Sequence, residues 1–217
     1  MSAPATYLSP TYFVDSDHPE VIAFARRAIG DAEGSRERAS RLFRAVRDGL
    51  RYDPYSVMLE RDAYRASAIA LRDRAFCVPK AILLCAVARA SGIPARLGFA
   101  DVKNHLSSEK LLRTLGTDLF VFHGYVELWI DGVPRKASPA FNAALCARFG
   151  VAPLEFDGTS DALLQAYDGA GHRLMEYVRE RGLYLDLPYD EMMRAFAETY
   201  GMKSAESAAA DDEAFEP

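Results

Sequence analysis

The chain has 217 residues, half of them apolar, which is enough to bury one sizeable core and excludes an intrinsically disordered protein. The net charge is −5 with acidic and basic residues well mixed, so we expect neither a nucleic-acid partner nor a membrane partner. No secretion signal and no apolar run long enough to span a membrane is visible, so the expected compartment is the cytoplasm. Cys77, Cys85 and Cys146 form no Cys-x-x-Cys pair, and we expect reduced thiols.

The first third of the chain predicts helices. Pro19 suits a first helical turn after the capping side chains at 15–17, and this helix is expected to reach Ile29. Residues 36–49 place their apolar side chains on one stripe and predict an amphipathic helix capped by Ser35. The pattern at 61–72 predicts a weaker helix.

A central helix is predicted from about Val78 to Ser91, followed by a glycine and a proline that end it. Its only charged residues, Lys80 and Arg89, fall on opposite sides, so the helix has no polar face and should be enclosed by other elements. Cys77 lies at its start, where free N–H groups and the helix dipole favour a thiolate and should lower the cysteine pKa. The alternative is a buried structural cysteine.

Strands are predicted after this helix, at 95–100 and from Phe120 to Ile130. A polar connection at 101–118 separates them and contains a short predicted helix at 108–115. Asp131 and Gly132 predict a hairpin turn into a returning strand at 133–137, in which Pro134 indicates an edge or a bulge.

The last third is less regular. We expect a short apolar helix at 142–149, loops from 151 to 171, and either a short helix or a strand at 174–181. A final helix at 190–200 should turn four residues inward, namely Met193, Phe196, Ala197 and Tyr200. Residues 1–201 are expected to form a single domain with its core at about 36–142, followed by an acidic, disordered tail at 202–217.

A cysteine at a helix start and a histidine on a strand, far apart in sequence, form the pair that nucleophilic thiol catalysis requires. Three stretches carry a resemblance to a known family: Cys77 with its helix, the run R-A-S-G-I-P-A-R at 89–96, and His123 before Y-V-E-L-W. They resemble the core of the transglutaminase-like superfamily, which has a papain-like fold, over roughly residues 42–142. The resemblance implies an α+β fold with the central helix and its N-terminal cysteine packed on an antiparallel sheet.

The resemblance makes Cys77 the nucleophile and His123 the base. The family's third member, an aspartate followed by proline, falls on Ser138, which precedes Pro139. A hydroxyl can accept the imidazole N–H but supplies no charge, so activity could be reduced or another residue could orient the ring.

The first alternative orienter is Asn142, because an amide oxygen serves this purpose in papain-like enzymes; Asp157 and Glu127 are weaker candidates. A second departure from the family is Phe76, which stands where a small residue is usual before the cysteine and should narrow the site. We expect Trp129, the single tryptophan, to pack against the sheet.

The backbone N–H of Cys77 is the first expected donor to an oxyanion, with Tyr52 or Tyr55 as a second donor unless these tyrosines only pack. His105 and His172 are expected to line the pocket or, as the favoured alternative, to be ordinary surface residues. The histidines lack metal-ligand spacing, so we expect neither a metal nor another cofactor.

These observations predict acyl transfer through a thioester on Cys77, with hydrolysis of a peptide or isopeptide amide as the leading reaction and transfer to an amine as a variant. The expected partner is a peptide or protein amide substrate. Two alternatives remain: an inactive binding module on the same fold, because of Ser138, and a structural domain in which the Cys77 and His123 pairing is accidental.

Overall fold

The computed structural model describes residues 3–105, 109–163 and 175–201. The predicted tail at 202–217 and His172 lie outside these residues, and the division into one domain and a tail stays a prediction.

The described residues form a mixture of helices and strands, with two short 3₁₀ turns at Ala5–Leu8 and Arg61–Tyr64. The helices are α1 Pro19–Ile29, α2 Ser35–Gly49, α3 Ala66–Ile69, α4 Cys77–Ala90, α5 Glu109–Leu115, α6 Ala143–Arg148 and α7 Tyr189–Tyr200. The strands are β1 Arg51–Tyr52, β2 Arg74–Ala75, β3 Ala95–Asn104, β4 Leu119–Ile130, β5 Val133–Ala137 and β6 Met175–Tyr184.

The main sheet has four strands in the order β5-β4-β3-β6, and every neighbouring pair is antiparallel. Asp131 and Gly132 join β4 to β5 with φ values of 52° and 79°, the left-handed conformation that a two-residue hairpin turn requires. Pro134 lies on β5, an edge strand, where its missing N–H costs no ladder bond. For the segment at 174–181, helix and strand were both open; its residues 175–181 belong to β6, and residue 174 lies outside the described residues.

Helix α4 is the centre of the core, and all its residues from Val78 to Arg89 are buried. Lys80 is fully buried, and its ammonium donates to the carbonyls of Arg47 and Leu50 at 2.7 Å each, at the C-terminal end of α2. Arg89 likewise donates to three backbone carbonyls. The prediction of an enclosed helix without a polar face is therefore confirmed, and its two charges bind neighbouring backbone.

The predictions of a helix at 61–72 and of the first two helix caps were wrong, and the predicted inner face of the last helix was correct in part. The weaker helix at 61–72 consists of a 3₁₀ turn and the single-turn α3. The caps of α1 and α2 are His18, whose Nδ1 accepts the N–H of Glu20, and Gly34. Helix α7 buries Met192, Ala195 and Phe196 and packs Met193 and Tyr200 against the core. Of the four residues predicted to face inward, only Ala197 is exposed, because adjacent apolar residues offer two stripes and tertiary packing chooses between them.

Candidate active site

Cys77 is the first residue of α4. It is partly exposed, whereas the rest of the helix up to Arg89 is buried. Phe76 precedes it in an extended conformation as the N-terminal cap, so the N–H of Cys77 is one of the groups without a partner inside the helix. The enclosed helix thus has a partly exposed cysteine as its first residue.

Strand β4 meets the start of α4 at Gly124. A Cβ atom on Gly124 would lie 3.0 Å from the Cβ of Ala81, 3.1 Å from the carbonyl oxygen of Cys77 and 3.1 Å from the Cα of Val78. The strand and the first helical turn therefore touch almost backbone to backbone. Since His123 precedes Gly124, the helix start and the histidine lie on two touching segments.

His123 is 4% exposed, and its Nε2 lies 3.2 Å from the hydroxyl oxygen of Ser138. That hydroxyl also donates to the carbonyl of Gly124 at 3.4 Å. A serine hydroxyl has a single proton, and here that proton is donated to the carbonyl of Gly124. The hydroxyl oxygen of Ser138 therefore acts as the acceptor for the N–H of Nε2. The contacts favour the tautomer in which Nδ1 is the unprotonated, basic nitrogen.

Burial shifts the pKa values of Cys77 and His123 in the directions that disfavour a thiolate–imidazolium pair. It lowers the pKa of His123 to about 4 and raises the pKa of Cys77 to about 11, although the N–H groups of Gly124, Val78 and Cys77 and the charge of Lys80 oppose the second shift. The predicted lowering of the cysteine pKa is wrong, because desolvation outweighs the helix N-terminus. Thiol and imidazole are both neutral near pH 7.

Three buried or partly buried tyrosines interact with the cysteine. Burial raises the pKa of Tyr52, Tyr64 and Tyr200, and the charge of a Cys77 thiolate adds to each shift. Sequence reasoning singled out Tyr52 but gave Tyr64 and Tyr200 no part in the site. The available signal for Tyr200 was its place on the apolar side of the last helix.

The other predicted site residues bind elsewhere. The side-chain oxygen of Asn142 accepts the N–H of Tyr52 at 3.0 Å, so it ties α6 to β1, whereas Ser138 contacts the imidazole. Tyr55 donates its N–H to Asp53 within its own loop. His105 is exposed just beyond β3, with Nε2 3.9 Å from an oxygen of Glu176, which matches the surface alternative.

The two weaker orienter candidates also have other partners. Asp157 accepts the N–H groups of Thr159 and Ser160 in an exposed turn. Glu127 binds Arg96 at 2.6 Å and accepts the indole N–H of Trp129 at 3.1 Å. Ser138 is the one predicted orienter in hydrogen-bond contact with His123 among the residues that the structure describes.

Within the described ranges, no group of three or more His, Cys, Asp or Glu residues could hold a metal ion. No helix in the same part of the chain is long and apolar enough to cross a membrane.

A family model described as the transglutaminase-like superfamily core matches residues 22–134, more than half of the chain. The chain belongs to the transglutaminase-like superfamily. The predicted fold class is thereby confirmed: an α+β transglutaminase-like core in which the cysteine-bearing helix packs on an antiparallel sheet. The match includes Cys77 and His123 and ends before Ser138.

Two solved structures are similar to this transglutaminase-like chain. A candidate cysteine protease from Cytophaga hutchinsonii is 17% identical with a TM-score of 0.45, and the match covers 82% of this chain and 53% of that one. A candidate protease from Parabacteroides distasonis is 14% identical with a TM-score of 0.38, over 58% of this chain and 25% of that one. The matches therefore span about half and a quarter of those proteins. No curated protein matches the chain.

Proposed function

We propose that the chain is a cysteine-dependent acyl-transfer enzyme that hydrolyses a peptide or isopeptide amide through a thioester on Cys77, with His123 as the base. The observation that carries the proposal is the packing of the first turn of α4 on Gly124. This packing brings Cys77, a partly exposed residue at a helix start, next to the strand residue that bears a buried imidazole. The family membership supports the same chemistry.

In the first step, the sulfur of Cys77 forms a bond to the amide carbonyl carbon while the thiol proton passes to Nδ1 of His123. The imidazolium returns that proton to the amide nitrogen, the C–N bond breaks and the amine leaves. Water then attacks the thioester and gives a proton to His123, the C–S bond breaks, and the sulfur regains a proton. An amine in place of water gives transfer instead of hydrolysis.

The pKa shifts define when the proton moves. Because burial keeps both Cys77 and His123 neutral near pH 7, the histidine removes the thiol proton during attack and not before it. Ser138 holds the ring in the required tautomer. We propose that the N–H of Cys77 donates one hydrogen bond to the oxyanion and that Tyr52 donates the second. Tyr52 is the candidate because the charge of Cys77 contributes to its raised pKa.

Acylation by p-nitrophenyl acetate tests the thiol and its base without knowledge of the substrate. We expect wild type to release p-nitrophenolate in a burst of about one equivalent, Cys77→Ser to give no burst, and His123→Gln to slow the burst by roughly 100-fold or more. Cys146→Ser is the matched control for loss of a thiol and should keep the burst. A second assay with a peptide mixture and an added fluorescent amine separates hydrolysis from amine transfer by mass.

The second candidate function is a binding module on the same fold. It is favoured by Ser138, which supplies no charge, and by the pKa shifts, which both oppose a thiolate–imidazolium pair. An equal, slow reaction of wild type and His123→Gln with the ester would support this module and contradict the enzyme.

A further inference from the structure

The strand that carries His123 is irregular immediately before it. Ala100 on β3 pairs with His123 and Val102 pairs with Phe120, so the single residue Asp101 stands opposite both Val121 and Phe122. This is a β-bulge, a feature that re-aims side chains near active sites. Phe122 has a φ of 57°, a conformation that is rare for a bulky residue and costs free energy.

The N–H groups of the two bulged residues bind side chains and not the backbone of the neighbouring strand. The N–H of Phe122 donates to Oδ1 of Asp101 at 3.1 Å, and the N–H of Val121 donates to the hydroxyl of Tyr200 at 2.8 Å. Both acceptor groups come from other elements, β3 and α7. The strained backbone is therefore fixed from outside β4, one residue before the imidazole.

Arg181 completes the arrangement from the other side of β3. It is skipped in the pairing of β6, because Phe99 pairs with Gly182 and Ala100 with Glu180. Its Nε donates to Oδ1 of Asp101 at 2.5 Å, and its guanidinium carbon lies 4.3 Å from the centre of the Phe122 ring. Asp101 is 5% exposed, so this ion pair is shielded from solvent.

We propose that Asp101 and Arg181 are positioning residues that hold the bulge at Phe122 and thereby place the imidazole of His123 for its reaction with Cys77. The carboxylate binds the backbone of Phe122 and the guanidinium covers its ring, so both ends of the strained residue are fixed. As a proposal about the reaction, this inference rests on the proposed function. Asp101 and Arg181 bind Phe122 and each other, and not Cys77 or the imidazole, among the residues that the structure describes. The pair therefore acts on His123 through the backbone of β4.

The test measures ester acylation in the full chain with Asp101→Ala and Asp101→Asn. Alanine removes the acceptor for the Phe122 N–H, and we expect the burst to slow by about tenfold or more, because small displacements of a catalytic group cost that much. Asparagine keeps an oxygen acceptor and should retain most of the rate. In the double variant Asp101→Ala/His123→Gln, the rate should equal that of His123→Gln alone, because the Asp101–Arg181 pair acts through the histidine.

Asp15 offers a matched control for loss of a buried carboxylate. It is 4% exposed, accepts the N–H of Ser67 at 3.0 Å and pairs with Arg65 at 3.1 Å, so it makes the same kinds of bond away from β4. Asp15→Ala should leave the burst rate unchanged even where it lowers stability. Equal slowing by Asp15→Ala and Asp101→Ala would overturn the proposal, and so would an additive double variant.

Nuclear magnetic resonance of the His123 ring separates this inference from the proposed function. The Nε2 proton, bound by Ser138, should give a distinct resonance in wild type and Asp15→Ala that shifts or disappears in Asp101→Ala. An unchanged resonance would overturn the positioning role of Asp101 and Arg181 even if the enzyme is active. A changed resonance in a protein that gives no burst would contradict only the proposed catalysis. If Asp101→Ala does not fold, Arg181→Met, which keeps an apolar stem over Phe122, replaces it in both measurements.

Discussion

His123 and Ser138 are joined by a buried contact of 3.2 Å between Nε2 and the hydroxyl oxygen. The hydroxyl stands where the family resemblance implies a carboxylate. It can fix the ring tautomer as a carboxylate does, but it contributes no negative charge that would favour the imidazolium. Desolvation therefore acts on His123 without opposition and lowers its pKa to about 4.

Ser138→Asp restores the missing charge. A carboxylate within hydrogen-bond distance of Nε2 favours the charged ring, so the pKa of His123 should rise by roughly 1–3 units. The measurement is a titration of the ring proton resonance of His123 by nuclear magnetic resonance. Ser138→Asn supplies an uncharged oxygen acceptor of similar size and should produce no comparable rise. A pKa unchanged by aspartate would show that Ser138 does not face the ring in solution.

Local sequence signals were sufficient for the main elements. Pro79 and Gly92 mark the two ends of α4, the absence of a polar face predicted its burial, and Asp131 with Gly132 predicted the β4–β5 turn. Each of these signals acts through backbone chemistry within a few residues. The pairing of Cys77 with His123 came from a resemblance, and the packing at Gly124 is consistent with it.

Features that depend on contacts far along the chain could not be predicted in the same way. The pKa of Cys77 depends on how much of the protein covers the thiol, and the helix start alone suggested the wrong direction. The bulge at Phe122 needs Asp101, Arg181 and Tyr200, which come from three other elements. No residue near position 122 indicates the strained conformation.

The reactivity of Cys77 should follow its raised pKa. With the thiol pKa at about 11 and the His123 pKa at about 4, no thiolate plateau exists near neutral pH, so iodoacetamide alkylation should accelerate about tenfold per pH unit between roughly pH 6 and 9. Peptide mass spectrometry follows this cysteine separately from the buried Cys85 and Cys146. A plateau below pH 7 that disappears in His123→Gln would instead show a preformed ion pair.

The lowered pKa of His123 also links stability to pH. The pKa of His123 is about 4 in the folded protein and the ordinary 6.5 in the unfolded chain. Between these two pH values the folded protein therefore binds fewer protons at this residue than the unfolded chain does. This contribution is fully present above pH 6.5 and is lost as the pH falls towards 4, by up to about 3 kcal/mol. Urea unfolding across this range should show a weaker pH dependence for His123→Gln. His105→Gln, which removes an exposed histidine, should retain the wild-type dependence.

Gly124 is where a small change should displace the nucleophile. A Cβ atom there would lie 3.1 Å from backbone atoms of Cys77 and Val78 and 3.0 Å from the Cβ of Ala81, and a side-chain rotation can relieve none of these contacts. We expect Gly124→Ala to lower the free energy of unfolding by about 1 kcal/mol and Gly124→Val by about 2–3 kcal/mol, because the start of α4 must move away from β4. The ester burst should slow in the same order, since the sulfur moves with the helix.

Gly49, at the end of α2, is the control for this series, because a Cβ atom there meets nothing within 4 Å. Gly49→Ala should be neutral or slightly stabilising, since alanine is the better helix former. Urea unfolding and the burst assay on Gly124→Ala, Gly124→Val and Gly49→Ala test this prediction. A Gly124→Val protein with wild-type stability and burst rate would mean that helix and strand do not touch there, and the packing that brings Cys77 to His123 would lose its support.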